Sequence, residues 1–328
     1  MESALAQYIL EVTGASGIQS VETIQRLWSG YGRLDRYFLI GAQVESVIVK
    51  QVCLPDTHHH PRGWNTQHSH QRKLDSYRVE IAWYQDWAIR CNADCRVPKA
   101  LSLQQQKDGF VMVLEDLGSC GFPLVKSTAS WEDMVLCLQW LANFHAVFLE
   151  EQPQHLWSVG SYWHLATRLD EWESMPAGAL KQSAATLDQI LRDAPFQTVI
   201  HGDAKLANFC FAEHGEQVAG VDFQYVGGGC GIKDVAYFIG SCLDEYECAR
   251  LEKDLLDVYF EELTKALVIQ QPQIDAVVVE AAWRPLYAVA WADFYRFLQG
   301  WSPEHWKIHG YSEALAAKVI KQLQEANS

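Results

Sequence analysis

Residues suited to chemistry are concentrated in one stretch, His201–Asn208, which reads HGDAKLAN, and in Asp222 shortly beyond it. Phosphoryl transfer consists mainly of positioning and charge neutralisation, so a site needs a carboxylate at the acceptor hydroxyl and oxygen ligands for Mg²⁺. Asp203 suits the first role, and Asn208 together with Asp222 suits the second. These residue types, in this order, indicate phosphoryl transfer as the candidate chemistry.

Two short apolar runs must position these side chains. Thr198–Ile200 precedes the HGDAKLAN segment and Val218–Val221 precedes Asp222, and both have the length and composition of buried strands. Strand ends separated by short turns can point side chains into one cleft. We therefore expect Asp203, Asn208 and Asp222 to converge.

The pattern HGD-x4-N resembles the catalytic loop of the aminoglycoside phosphotransferases and choline kinases, a superfamily related to protein kinases. Within it, Val221–Gln224 (VDFQ) and Leu114–Leu117 (LEDL) resemble most closely the ecdysteroid kinase-like branch. The matching segments follow in the expected order along nearly the whole chain. The resemblance implies ATP and Mg²⁺ as cofactors and a small molecule with a hydroxyl as the acceptor.

The resemblance also implies roles for individual residues. Asp203 would be the catalytic base or the carboxylate that orients the acceptor, and Lys205 would lie near the transferred phosphate. Asn208 and Asp222 would bind magnesium. Asp234 would brace the catalytic loop from behind. Taken alone, Lys205 could instead be an exposed lysine.

Other matching positions would hold the nucleotide. Lys50, which ends a Val-Ile-Val-Lys strand, would contact the α- and β-phosphates, with Glu80 on the following helix as its ion-pair partner. Taken singly, each could be a solvated surface residue, and only the pair supports the functional interpretation. The adenine would hydrogen-bond to the backbone around Glu115 to Leu117.

A glycine-bearing turn, Ser29-Gly30-Tyr31-Gly32, lies between two predicted strands but lacks the full GxGxxG pattern. Gly30 and Gly32 could place backbone N–H groups over phosphates. A glycine pair in a hairpin turn is also common without any ligand.

The remaining patterns predict an α+β, two-lobed protein-kinase-like fold. Residues 1–115 would form the N-terminal nucleotide-binding lobe, with an antiparallel sheet and a helix. Residues 116–328 would form a mostly helical C-terminal lobe for catalysis and acceptor binding. ATP is expected between the two lobes.

Local signals place the individual elements. An entry helix is predicted over residues 1–12, an antiparallel meander over 24–50, a helix over 77–89 and a buried strand over 110–114. Ser130, with Asp133 three residues later, is the predicted N-cap of a long helix.

Composition excludes some classes of partner. A formal net charge of −15 without clustered Lys and Arg argues against a nucleic-acid binder. The nine cysteines are odd in number and contain no CxxC pair, which indicates reduced thiols. We find neither a signal peptide nor a long uncharged apolar run. A cytoplasmic protein that does not enter a membrane is expected.

Two alternative functions remain open from the sequence. One is a nucleotide-binding pseudokinase without turnover. The other is a protein kinase, although Gln224 stands where that family has a glycine after Asp-Phe, and its Ala-Pro-Glu segment is missing.

Three further patterns each have a structural and a functional interpretation. Trp283, Tyr287 and Trp291 recur every four residues and predict either the helical core or an aromatic wall for the acceptor. Several histidines between residues 54 and 70 predict a solvated loop rather than a zinc site, because partner ligands at suitable spacing are missing. These are His58, His59, His60, His68 and His70. His145, on an apolar helix face, is expected to be a hydrogen-bonded core histidine.

Overall fold

The computed structural model of this chain describes residues 2–27, 30–53, 67–106 and 109–326. In these ranges the strands are β1 (Gly17–Arg26), β2 (Gly32–Ile40), β3 (Ser46–Cys53), β4 (Ala100–Gln106), β5 (Gly109–Glu115), β6 (Leu124–Val125), β7 (Thr198–Ile200), β8 (Phe209–Phe211), β9 (Val218–Gly220) and β10 (Gly227–Gly229).

The α-helices in the same ranges are α1 (Glu2–Thr13), α2 (Gln67–Ala82), α3 (Trp131–Val147), α4 (Leu169–Ser174), α5 (Ala179–Gln182), α6 (Ala184–Arg192), α7 (Ile232–Cys242), α8 (Glu245–Gln270), α9 (Ala276–Trp283), α10 (Tyr287–Trp301) and α11 (Gly310–Ala326). The antiparallel N-terminal sheet and the helical C-terminal part confirm the predicted fold class.

Packing divides the chain into two compact units. The first contains Met1–Arg90, Arg96–Val125 and Cys210–Val221, and the second contains Cys91–Cys95, Lys126–Phe209 and Asp222–Ser328.

The first unit is built on a sheet with the strand order β1-β2-β3-β5-β4, in which each neighbouring pair is antiparallel. Its central strands β3 and β5 are mostly buried because both of their faces are covered. On one face, Leu5 and Ile9 of α1 pack against Val47 and Val49 of β3. Side chains alternate along a strand, so Lys50 lies on the opposite face.

That opposite face is covered by α2, whose Tyr77 packs against Val52 and Phe110. Glu80 is one helical turn from Tyr77, so it faces the sheet near Lys50. The alternation along β3 and the helical repeat of α2 therefore bring the two charged residues together.

The second unit is mainly helical. Helix α3 packs along α8, and α10 packs against α4, α6, α7 and α11. Ser130 and Asp133 form the predicted capping box at the start of α3. Asp244 and Glu247 form another at the start of α8, so both long helices have satisfied N-terminal N–H groups.

Three local predictions were wrong. The first strand begins at Gly17 rather than near Ile24, because β1 is an edge strand with polar residues on both faces and lacks the expected alternation. Strand β4 was missed for the same reason. The helix expected from Tyr77 already begins at Gln67, so His68 and His70 are helical and do not lie in a loop.

The other residues of the predicted histidine loop, His58 to His60, lie outside the described residues. Across the described part of the chain, no helix is both long enough and apolar enough to span a bilayer.

Candidate active site

The HGD loop, residues 201–208, leaves β7 where Ile200 pairs with Gly227 of β10. Gly202 has a φ of +78°, and a Cβ atom there would collide with the carbonyl oxygen of Tyr225 and lie 2.7 Å from the amide nitrogen of Ser161. This turn therefore requires glycine. Backbone packing at Gly202 therefore restricts the path of the loop independently of the polar side chains.

Asp234, in the first turn of α7, holds the backbone of the loop. Its Oδ2 accepts a hydrogen bond from the His201 N–H at 2.6 Å, and its Oδ1 accepts one from the Gly202 N–H at 2.9 Å. His145 Nε2 lies 3.2 Å from the same Oδ2, and His145 Nδ1 lies 2.9 Å from the Tyr259 hydroxyl. The structure confirms that Asp234 braces the loop and that His145 is a hydrogen-bonded core residue.

The Asp203 carboxylate is oriented by its neighbours. Its Oδ2 accepts hydrogen bonds from Lys205 Nζ at 2.9 Å and from Asn208 Nδ2 at 3.1 Å. Asn208 Nδ2 also donates to the main-chain oxygen of Asp203 at 2.8 Å. The charge of the same carboxylate acts on the buried Tyr237 hydroxyl and contributes, after burial, to its raised pKa. A carboxylate held in this way is preorganised to accept a proton from a nearby group.

Lys205 lies in the electric field of two carboxylates, those of Asp203 and Asp222. Burial lowers the pKa of this lysine, but the charges of Asp203 and Asp222 outweigh burial and raise its pKa above the ordinary value. Lys205 is therefore a permanent cation at neutral pH. It forms an ion pair with Asp203, and its side chain is 39% exposed.

Asp222 follows β9 in an uncommon backbone conformation. Its φ is +68°, in the left-handed region that aspartate and asparagine tolerate better than most residues. Gln224 Nε2 donates to Asp222 Oδ1 at 2.8 Å. The glutamine that departs from the protein-kinase pattern thus orients this carboxylate, which lies close enough to act on Lys205.

Asn208 and Asp222 fit a magnesium ion by donor type. The Asn208 amide nitrogen faces Asp203, so the amide oxygen lies on the other branch of the group. Mg²⁺ prefers such oxygen ligands and usually keeps several waters. Within the described ranges, no three His, Cys, Asp or Glu side chains are grouped to hold a metal.

Lys50 and Glu80 form an ion pair within the first unit. Lys50 Nζ lies 2.8 Å from Glu80 Oε1 and 2.6 Å from Oε2, and both residues are buried. The alternatives of a solvated lysine and a solvated carboxylate are therefore wrong. Contact of Lys50 with phosphates remains a prediction.

Glu115 and Leu117 form the turn that leaves the sheet after β5. Arg96 Nη2 lies 2.5 Å from the Glu115 carboxylate, which also accepts the Lys99 N–H at 3.0 Å. The Leu117 carbonyl accepts the Phe122 N–H at 2.9 Å. Hydrogen bonding of adenine to this segment remains a prediction.

Gly32 and Gly30 have different local requirements. Gly32 has a φ of +134°, and a Cβ atom would lie 2.9 Å from the carbonyl carbon of Gln51, so the approach of β3 explains this glycine. Gly30 has a φ of +77° and open space around it. Their predicted contact with phosphates is untested, and Ser29 of the same turn lies outside the described residues.

The aromatic residues Trp283, Tyr287 and Trp291 are all buried. Trp283 Nε1 donates to the main-chain oxygens of Pro195 and Phe196 at 3.0 and 2.9 Å. The Trp291 ring packs edge-on against Tyr311 with centroids 5.5 Å apart. These residues belong to the core of the second unit and do not form an acceptor wall.

Sequence reasoning missed three residues around Asp203. The rings of Tyr162 and Tyr237 are in contact with centroids 5.5 Å apart, and burial followed by nearby negative groups raises the pKa of Tyr237. Tyr237 could have been found from its position one helical turn after Asp234. Lys307, whose environment is influenced by Asp203, carries no motif that would mark it.

Comparison with known proteins agrees with this geometry. Residues 169–271, which include the HGD loop, Asp222 and Asp234, match the model of the ecdysteroid kinase-like family. The expected resemblance is confirmed. A search of curated proteins found no significant match.

Solved structures share the fold at low identity. A microcompartment-associated aminopropanol kinase is 16% identical, with a TM-score of 0.55 over 97% of this chain and 93% of its own. An ethanolamine kinase from Plasmodium vivax is 13% identical, with a TM-score of 0.50 over 92% of this chain and 83% of its own. At this identity the likeness establishes a kinase-like fold.

Proposed function

We propose that this protein transfers the γ-phosphate of Mg·ATP to a hydroxyl of a small molecule. The observation that carries the proposal is the cluster in the second unit: an Asp203 carboxylate oriented by Lys205 and Asn208, with the charge of Asp222 close by. Two proteins with this fold are named as kinases of small amino alcohols, which supports a small alcohol as the acceptor.

In the proposed reaction the acceptor oxygen forms a bond to the γ-phosphorus while the bond from that phosphorus to the β-bridging oxygen breaks. The products are a phosphate monoester and ADP. Asp203 orients the acceptor hydroxyl and takes up its proton, and Lys205 provides a fixed positive charge for the phosphoryl oxygens.

Asn208 and Asp222 would hold Mg²⁺, which supplies charge neutralisation at the phosphates. Gln224 keeps the Asp222 carboxylate oriented. Lys50, fixed by Glu80, would bind the α- and β-phosphates, and the Glu115 to Leu117 backbone would bind adenine. Gly30 and Gly32 would add backbone donors. In this proposal residues 1–115 supply nucleotide binding and residues 116–328 supply catalysis.

The test uses γ-labelled ATP, Mg²⁺ and a small-molecule extract of the source organism. The wild-type protein should label a metabolite, and Asp203→Asn should lower the rate by about 100-fold or more because it removes the proton acceptor. Asp254→Asn is the matched control, since Asp254 is exposed on α8.

Three results would contradict the proposal. Asp203→Asn activity within about threefold of wild type would remove Asp203 as the base. Label on protein bands instead of a metabolite would indicate a protein kinase. ATP binding without any labelled product would indicate a nucleotide-binding protein without turnover.

A further inference from the structure

Lys307 is a buried cation held by aromatic rings. The residue is 6% exposed, and its Nζ lies 4.5 Å from the ring centroid of Tyr237. The rings of Phe294 and Trp306 are each 5.4 Å away. Within residues 2–27, 30–53, 67–106 and 109–326, no carboxylate pairs with this ammonium and no group accepts a hydrogen bond from it.

The main chain fixes Lys307 in place. Its N–H donates to His305 Nδ1 at 3.2 Å, and its carbonyl accepts a hydrogen bond from the Ser312 hydroxyl at 3.0 Å. A backbone anchored on both sides gives the side chain a defined origin, as a binding residue requires.

Lys307 lies on the same side of the second unit as the proposed base. Tyr237 lies between the two, because the charge of Asp203 acts on its hydroxyl and its ring contacts the Lys307 ammonium. The charges of Asp203 and Lys205 both act on Lys307. Asp203 is already neutralised by Lys205, so Lys307 is not needed as its counterion.

Ring contacts connect Phe294 to Trp306, and both of these end rings lie 5.4 Å from the Lys307 ammonium. We call the connected rings the aromatic row, and neighbouring centroids are 5.5 to 6.3 Å apart. Its members are Phe294, Phe297, Trp301, His305 and Trp306. Phe294 is buried, whereas Trp306 is 57% exposed. The Trp306 end of the row offers apolar contact to a ligand that approaches from solvent.

An unpaired buried ammonium is unfavourable, and three ring faces compensate for only part of its lost hydration. An anionic oxygen would complete its environment. An acceptor with its own ammonium would find the ring faces already occupied by Lys307 and would be repelled by it. Burial also lowers the pKa of Lys307 to about 8, which agrees with a cation that lacks a protein counterion.

Resting on the proposed function, we propose that Lys307 binds an anionic oxygen of the acceptor. The substrate class is then a hydroxylated carboxylate with a flat apolar body packed on the aromatic row. Amino alcohols, the substrates named for the two structural neighbours, are disfavoured by the same lysine.

The test is a matched set of three probes that share a benzyl alcohol: 4-(hydroxymethyl)benzoate, 4-(hydroxymethyl)benzamide and 4-(hydroxymethyl)benzylamine. Calorimetric titration without nucleotide measures binding to the wild type. We expect the benzoate to bind about tenfold to a hundredfold more tightly than the amide, which is typical of a hydrogen bond to a charged group. The amine should bind most weakly.

Lys307→Met should remove the preference for benzoate and improve binding of the amine. Lys318→Met, which changes an exposed lysine of α11, should leave the order unchanged. A wild type that prefers the amine, a preference that survives in Lys307→Met, or no binding of any probe up to about 10 mM would each overturn the inference. Because nucleotide is absent, these outcomes are independent of whether γ-phosphate transfer is observed.

Discussion

At the scale of single residues, the charge of Lys307 opposes folding. Its ammonium lies against aromatic rings, and the charges of Asp203 and Lys205 act on it. Burial lowers the pKa of Lys307 from 10.5 to about 8. At Lys307 the folded protein therefore binds fewer protons than the unfolded chain between these two values. The contribution of Lys307 to stability rises with pH across this window, and the full cost of its buried charge is present below it.

Lys307→Met should therefore increase the free energy of unfolding near pH 7. The shift of Lys307 from 10.5 to about 8 corresponds to an upper limit of about 3 kcal/mol, reduced by the cation–π attraction that the variant loses. The gain should disappear as the pH approaches 10.5. Urea unfolding at both ends of the window, with Lys318→Met as control, measures it. A destabilised Lys307→Met at neutral pH would show that the ammonium has a favourable protein partner.

Individual site residues differ in how far the sequence predicts them. Asp203, Asn208 and Asp222 follow from the chemistry of their side chains at fixed spacing. Gln224 was read only as a departure from a pattern, because its hydrogen bond to Asp222 depends on a left-handed backbone that no local signal specifies. Lys307 is separated from Asp203 by about a hundred residues, and only tertiary packing brings it close.

At the scale of elements, the HGD loop depends on the close approach of three backbone segments. Gly202 combines a φ of +78° with direct contact to Tyr225 and Ser161, whereas Gly215 has a φ of +68° with open space around it. Substitutions at Gly215 and Gly202 can therefore distinguish the effect of backbone strain alone from the combined effect of strain and steric collision.

Gly215→Ala should cost only the left-handed strain, about 1–2 kcal/mol, and keep full activity per folded molecule. Gly202→Ala should add the collision, displace Asp203 and lower phosphotransfer by about 100-fold, as expected for a misplaced catalytic group. Thermal unfolding and labelled-ATP assays measure the two effects. Equal behaviour of the two variants would contradict the role of Gly202 packing.

Elements with strong local signals were predicted well. The capping box of Ser130 and Asp133 fixes the start of α3, and the apolar run over 110–114 identifies β5. Elements whose residues are mostly polar or exposed were predicted poorly. Strand β1 is an edge strand with exposed polar residues. Helix α2 begins in a polar, histidine-bearing segment whose helical state depends on packing further along the helix.

At the scale of the whole molecule, ligand binding should be measurable as stability. A ligand that binds only the folded state at 100 times its Kd adds about 2.7 kcal/mol. Mg·ATP should raise the Tm of the wild type more than ATP alone. Asp222→Asn should lose the Mg²⁺-dependent part, while Asp203→Asn should retain it because Asp203 acts on the acceptor. Identical shifts with and without Mg²⁺ in all three proteins would contradict the assignment of Asp222.

The left-handed backbone at Asp222 also restricts how this position can change during evolution. Glycine adopts that φ more readily than aspartate does, and asparagine tolerates it about as well as aspartate. Their codons, GGY and AAY, each differ from the aspartate codon GAY by one nucleotide. One point mutation to glycine would therefore remove the proposed metal ligand and leave the turn intact, so a gene duplicate could become a non-catalytic paralogue in a single step.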